Sequence, residues 1–563
     1  MKYRISNIYV LLLLLFSNIA FAQFKCGTEK GDPANTRGKS EFSGISENSG
    51  SIPVIFHVIF NSSQEGNISN STIEAQFNVL QNKFSGLGFS YFLAGISRTQ
   101  NNNWFEITAT GDDVDSMREN LHIDTRRVLN IYITKLSGDT QGVAKYPWFN
   151  DWKQHGVVID YRTLPGGSHP TKNQGKTLVH EVGHFWGLIH PWENEEFKCN
   201  EIYVQMGVDE FVWGDGVSDT PIQKSPTYGC PSFHDSCQSE PGNDSVHNYM
   251  DYADDPCMYE FTDGQIDRMN LKRSEYRPSI GGSTIYITEN LDIGSNQSYE
   301  FHEGTYKFAS GKKINVDGEL NVNGSSFNPV TFTSSGSSWN GIYFASGSNG
   351  LVEYTNIENL TGGYYSGAIT ISNATPEFQY CNIEVTTGSN VFAVYQSGNY
   401  VTPRFYKSKI KSNSQSAFKT SGSNGYLSIY DCEIVQNSGN PALVASTGII
   451  EFWRAATHYQ GKNKIKGGKL YATNAGLIRA GLSSGQRDIN HFCDSNASTL
   501  YVSSGGVIYA KYNYWYNGAP PTQINMGGTI YYSNNLGSSS CSGIYKIKDN
   551  LTSNPPHFLV KLL

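Results

Sequence analysis

One short phrase returns four times in the second half of this 563-residue chain: Val352-Glu353-Tyr354-Thr355-Asn356-Ile357, Phe378-Gln379-Tyr380-Cys381-Asn382-Ile383, Phe405-Tyr406-Lys407-Ser408-Lys409-Ile410 and Ile429-Tyr430-Asp431-Cys432-Glu433-Ile434. Thr355, Cys381, Ser408 and Cys432 mark the same place in each, 26, 27 and 24 residues apart. Repeats of this size, with alternating apolar residues and Gly, Asn and Ser at the turns, bury their apolar face against the next repeat. That arrangement makes a solenoid of β coils.

Gly318 to Gly324, Pro329 to Thr333 and Trp339 to Phe344 supply three further short strands with turns between them. The pattern resembles the right-handed parallel β-helix of the pectate-lyase type, expected over residues 284–548. Cys381 and Cys432 share a phase two coils apart, so at about 4.8 Å per coil they lie roughly 9.6 Å from each other. That is beyond the roughly 7 Å Cα separation a disulfide spans. Two buried free thiols are therefore expected, with Cys493 and Cys541 left as a C-terminal staple.

The chain is too long for one core, and what precedes the repeats is different in kind. Met1 to Arg4, the apolar run around Leu11 to Leu15, and Ala20-Phe21-Ala22 have the form of a signal peptide over 1–22. Export is expected, with no membrane-spanning segment in the mature chain. The net charge is -8, with no Lys or Arg run, which argues against nucleic acid as a partner. Residues 23–50 are polar and read as a short pro-segment.

From residue 51 to 279 strands and helices mix. Ile52 to Phe60 is a near-continuous apolar run, as in a strand covered on both faces, and His57 within it reads as a packed core histidine. Ser71 to Phe84 has helical spacing with Ser71 placed as its cap. Leu129 to Leu136 and Gly156 to Tyr161 are further strands, and Asn173 to Leu188 is a second helix. This succession describes a mixed α/β sheet.

That second helix carries His180-Glu181-Val182-Gly183-His184-Phe185-Trp186-Gly187-Leu188-Ile189-His190. Residues four apart share a helix face, so His180 and His184 present two imidazoles to one ion. Gly187 ends the helix by a left-handed turn that lets His190 complete a three-histidine zinc site of metzincin form. Glu181 stands beside it as general base toward a water held by zinc. Met250, in His247-Asn248-Tyr249-Met250-Asp251-Tyr252, lies where a Met-turn belongs, and Tyr252 is placed to meet the oxyanion. Thr262-Asp263-Gly264-Gln265 has capping-box form and opens a last helix.

The eleven-residue motif, Asp215 to Pro221, Asn248 to Cys257 and Phe261 to Met269 together resemble the pappalysin family of metzincin metallopeptidases, over about residues 24–275. The resemblance implies an α/β metzincin domain in which His180, His184 and His190 are ligands, Glu181 the base, Met250 the Met-turn and Tyr252 the oxyanion partner. Four cysteines allow three connectivities. The resemblance selects Cys199 with Cys237 and Cys230 with Cys257. It also implies calcium at Asp215, Asp219 and Thr220, whose hard oxygen ligands suit that ion.

Phe24-Lys25-Cys26-Gly27-Thr28 resembles a cysteine-switch pro-segment, with the Cys26 thiolate in the fourth zinc position and Arg37 or Lys39 as the point of cleavage. Asp254 and Asp255 resemble the acidic end of a pocket for a basic residue after the scissile bond. The whole chain then reads as a multidomain, secreted zinc endopeptidase, made latent, acting on protein or peptide substrates. Its β-helix has a carbohydrate or cell-surface ligand as a candidate partner. The rival readings are a polysaccharide-binding or polysaccharide-degrading β-helix, or an adhesin, with an accessory protease domain.

Overall fold

The computed structural model describes residues 25–28, 50–192, 199, 203–204, 211–212, 215–360, 367–386, 391–399, 401–452, 463–480, 490–494, 499–510, 513, 515 and 521–532. The expected signal peptide, Arg37, Lys39 and Cys541 lie outside these residues. Two compact units emerge, one holding residues up to Phe92 and Arg98–Gly282, the other Leu93–Ser97 and Ser283 onward.

The first unit runs β1 (Lys25–Cys26), β2 (Ile52–Phe60), α1 (Asn70–Phe84), β3 (Tyr91–Gln100), α2 (Asp112–Leu121), β4 (Leu129–Thr134), β5 (Thr140–Ala144), β6 (Val157–Asp160), α3 (Lys176–Phe185), two short strands, and α4 (Asp263–Tyr276). Five strands lie in the order β1-β5-β6-β4-β2. β2, β4 and β6 are parallel, and β5 turns antiparallel to β6. Every residue of β2, β4 and β6 is buried, which their unbroken apolar runs require.

His57 is a core residue. It stacks on Tyr132 at 4.8 Å, and its Nε2 lies 2.9 Å from Asn130 Oδ1. That oxygen already accepts from Ile123 N–H while the Asn130 amide donates to Ile123 O, so the imidazole must be the donor.

Helix boundaries shift from expectation for local reasons. α1 is capped by Ser69 rather than Ser71: Thr72 N–H donates to Ser69 Oγ at 3.2 Å. α3 begins only at Lys176 because Gly175 is left-handed, with φ of 78°. β3 and α2 lack a clear pattern in the sequence: β3 mixes Gly95, Ser97, Arg98 and Thr99 with its apolar residues, and α2 starts Asp112-Asp113-Val114-Asp115 with few apolar positions.

The second unit is a parallel β-solenoid, with, among the described residues, one sheet of ten strands, another of nine, and a third face pairing coil to coil in the same way. The repeated phrases lie in register. Val352, Phe378, Phe405 and Ile429 pair in succession, as do Ile357, Ile383, Ile410 and Ile434. Between these two inward stacks Tyr354, Tyr380, Lys407 and Asp431 take φ of 44°, 55°, 43° and 51°, turning the corner of each coil.

The next residue in each coil forms an internal polar column. Cys381 N–H donates to Ser408 Oγ at 3.1 Å and Cys432 N–H to Asn463 Oδ1 at 2.9 Å. Asn463 donates to Asn490 at 3.1 Å, and Asn490 to Asn513 at 2.9 Å. Cys381 and Cys432 are free and buried, as their phase demanded. Cys493 is disulfide-bonded.

Candidate active site

All ten residues of α3 are buried, so its polar side chains must find partners inside the protein. His180 Nδ1 lies 2.7 Å from Tyr249 O and His184 Nδ1 2.8 Å from Leu188 O. These carbonyls hold the proton on Nδ1 and leave each Nε2 as a lone pair. Gly187, with φ of 95°, ends the helix and lets the chain return His190 to the same point. The three Nε2 atoms then stand 3.0 to 3.2 Å apart.

Lone pairs this close in a buried place repel one another unless a cation lies among them, so the donor set fits a zinc ion. Burial holds His184 down to about 4 and His180 well below its ordinary value, so both stay in the neutral form that binds metal. The fourth atom of the group is Cys26 Sγ; all four ligand atoms fall within 4.8 Å of one another.

Glu181 is fully buried, and burial pushes its carboxyl up to about 8. Oε2 accepts from Thr28 Oγ1 at 3.1 Å, whereas Oε1 has no hydrogen-bond partner among the described residues. A Cβ on Gly142 of β5 would lie 2.6 Å from both Cγ and Oε1 of Glu181. β5 therefore approaches the carboxylate as closely as a bare backbone can. Gly142 and Thr28 escaped the sequence reading, because a single glycine in a strand and a threonine after a cysteine carry no motif.

β1 lies parallel to β5, and Gly27 N–H donates to Gly142 O at 2.8 Å. Ala144 N–H donates to Thr28 Oγ1 at 3.0 Å. On the opposite side Cys26 N–H donates to the Tyr252 hydroxyl at 3.2 Å, and that hydroxyl is 3.3 Å from His190 Nε2. Burial and then Glu181 push the Cys26 thiol well above its ordinary range. A bound dication acts in the opposite sense.

Met250 is buried against α3, where a Cβ on Gly183 would lie 2.5 Å from its sulfur. The turn holding it hangs from the last helix: Thr262 and Gln265 form the expected capping box on α4. Gln265 Oε1 also accepts from Asn248 Nδ2 at 2.7 Å, and Asn248 Oδ1 from Met250 N–H at 2.9 Å. Asp251 Oδ1 accepts from Tyr252 N–H and Thr227 N–H at 2.7 and 2.8 Å.

Cys199 is bonded to Cys237 and Cys230 to Cys257, the pairing the resemblance implies. Asp215 Oδ1 accepts from Val217 N–H and Thr220 Oγ1, and Asp219 Oδ2 from Gly264 N–H. Asp255 is fully buried; its carboxylate accepts from Gln174 N–H at 2.7 Å and feels the charges of Lys172 and Lys176. Asp254 is partly exposed.

Residues 112–272 match the peptidase M43 family described as pregnancy-associated plasma protein-A. An extracellular metalloprotease of Arthroderma benhamiae is 35% identical over 287 residues, which cover 49% of this chain and 92% of that protein. One from Neurospora crassa is 37% identical over 233 residues, 40% of this chain and 75% of that protein. Mature mirolysin of Tannerella forsythia, solved with a cleaved peptide, is 29% identical, with 40% of this chain and 94% of that chain covered and a TM-score of 0.34. Among the described residues no helix is long and apolar enough to cross a membrane. With the Arthroderma relative matched over nearly its whole length, the chain belongs to the M43 pappalysin family and is a metalloendopeptidase that also carries a parallel β-solenoid.

Proposed function

We propose that this protein is a secreted zinc endopeptidase, held latent by its own residues Cys26 to Thr28, with Glu181 as general base. The observation that carries the reading is the convergence of His180, His184, His190 and Cys26 within 4.8 Å, beside the buried Glu181 carboxylate, whose Oε1 has no hydrogen-bond partner among the described residues. His180, His184 and His190 would hold the metal, over the apolar floor of Met250. Zinc, when bound, supplies Lewis acidity that activates a water and polarises the scissile carbonyl.

The chain's own groups do the rest. Glu181 takes a proton of the attacking water at Oε1 and delivers it to the leaving nitrogen, so one water and one peptide bond become a carboxylic acid and an amine, which exchange the second proton to leave as carboxylate and ammonium. The Tyr252 hydroxyl donates to the carbonyl oxygen as charge develops there. Latency follows from occupancy: Cys26 stands at the open ligand position, its N–H engages Tyr252, and Thr28 engages Glu181. Removing residues 25–28 from β5 frees all three groups together. Asp215, Asp219 and the Thr220 carbonyl are a separate candidate for structural calcium.

The test is hydrolysis of an unfolded protein substrate by the activated chain. Chelation should abolish it, zinc should restore it, and Glu181→Ala should lower it by about 10²–10⁴-fold with zinc still bound. Unchanged cleavage by Glu181→Ala removes the reading of the base. Cys26→Ala should show activity before any processing, and a fully latent variant removes the switch.

A further inference from the structure

Lys172 is 1% exposed, yet it belongs to no part of the metal site. Its ammonium donates to Tyr252 O at 3.1 Å and to Ala253 O. Burial pushes it down to about 8, with Asp255, Asp254 and Asp251 opposing and Lys176 adding to the effect. A buried ammonium is expensive, and an apolar side chain of the same length fills such a space at lower cost, so its donors must be needed.

The surrounding bonds show where the rigidity goes. Asp255 N–H donates to Thr171 O at 3.1 Å, and Gln174 N–H to Asp255 Oδ2 at 2.7 Å. Lys176 Nζ donates to Asp255 O. His169 Nδ1 accepts from Lys172 N–H at 3.0 Å, and its Nε2 lies 3.0 Å from Gln141, the neighbour of Gly142 on β5. Residues 171–176 thus fasten residues 252–255, a stretch that is irregular at Tyr252 and Ala253.

The geometry points to Lys172 as a positioning residue for peptide hydrolysis: it grips the Tyr252–Ala253 backbone and so sets the Tyr252 hydroxyl at the scissile carbonyl. This rests on the reading of Tyr252 as the oxyanion donor. A hydroxyl displaced by about 1 Å costs on the order of 100-fold in rate.

A double-mutant cycle separates this role from a general structural one. The full chain, activated by limited proteolysis, is compared with Tyr252→Phe, Lys172→Met and the double variant on a fluorogenic peptide, with zinc content measured for each. Each single variant should lower kcat about 10–100-fold with zinc retained, and Lys172→Met should cost nothing further once Tyr252 is Phe. Equal cost in both backgrounds, or a Lys172→Met variant with unchanged kcat beside an impaired Tyr252→Phe, overturns the inference. Tyr252→Phe with unchanged kcat removes the Tyr252 reading itself, and this inference with it. Should Lys172→Met not fold, Lys172→Gln, which keeps one donor group, runs through the same cycle.

Discussion

The two units bury polar groups for opposite ends. In the metallopeptidase unit they aim at one point: three imidazole nitrogens 3.0 to 3.2 Å apart, a thiol, and a carboxylate oxygen with no hydrogen-bond partner among the described residues. In the solenoid they run along a line, where Asn463 donates to Asn490 and Asn490 to Asn513. Lone pairs converging on one point suit a cation, and side-chain amides passing hydrogen bonds from coil to coil suit a structural ladder. Substitutions in the first unit should therefore act on chemistry, and those in the second on local stability.

The sharpest way to break that contrast is Gly142→Ala. The added methyl must fall within 2.6 Å of Glu181 Cγ and Oε1, so the carboxylate has to leave its place. Loss of a positioned base predicts a fall of about 10²–10⁴-fold in kcat, while bound zinc stays at one per chain because no ligand is touched. Should Gly142→Ala keep full activity, the carboxylate is not where catalysis needs it.

How much of this was legible beforehand differs between the two units as well. His180 to His190 could be read because helical spacing, a base and a helix-ending glycine are all local. The phase of Cys381 and Cys432 could be read because a repeat fixes which residues point inward. Thr28, Gly142 and Lys172 could not, because their roles exist only when β1 meets β5 and residues 171–176 meet residues 252–255. The polar column is legible in the repeat only as far as Cys432. Beyond it the residue type changes to Asn, and the step from Cys432 to Asn463 lengthens to 31 residues.

Acid should expose the same division through His57. Burial holds it at about 4 in the folded protein against 6.5 when free. Its neutral form is the folded form, so the stability it secures is complete above pH 6.5 and is lost as the pH falls through 4. The difference amounts to about 3 kcal/mol. Urea unfolding followed by Trp186 and Trp192 fluorescence should lose that much between pH 7 and 4. In His57→Gln, which keeps a donor for Asn130 without titrating, the loss should shrink by the same amount. An equal loss in the variant would place the acid sensitivity elsewhere.

The smallest effect belongs to the solenoid. Asn490→Ala takes the acceptor from Asn463 and the donor from Asn513, all three side chains being fully buried. Unpaired buried amides predict a local cost of about 1–3 kcal/mol. Because each coil contacts only its neighbours, that cost should appear as faster hydrogen exchange at Ile465, Ile478 and Phe492. The amides of Ile357 and Ile383, several coils away, should exchange as before, and kcat/KM should not change. Faster exchange throughout the solenoid would mean that its coils unfold as one cooperative body. A fall in kcat/KM would mean instead that the line of asparagines is coupled to the point where peptide bonds are cut.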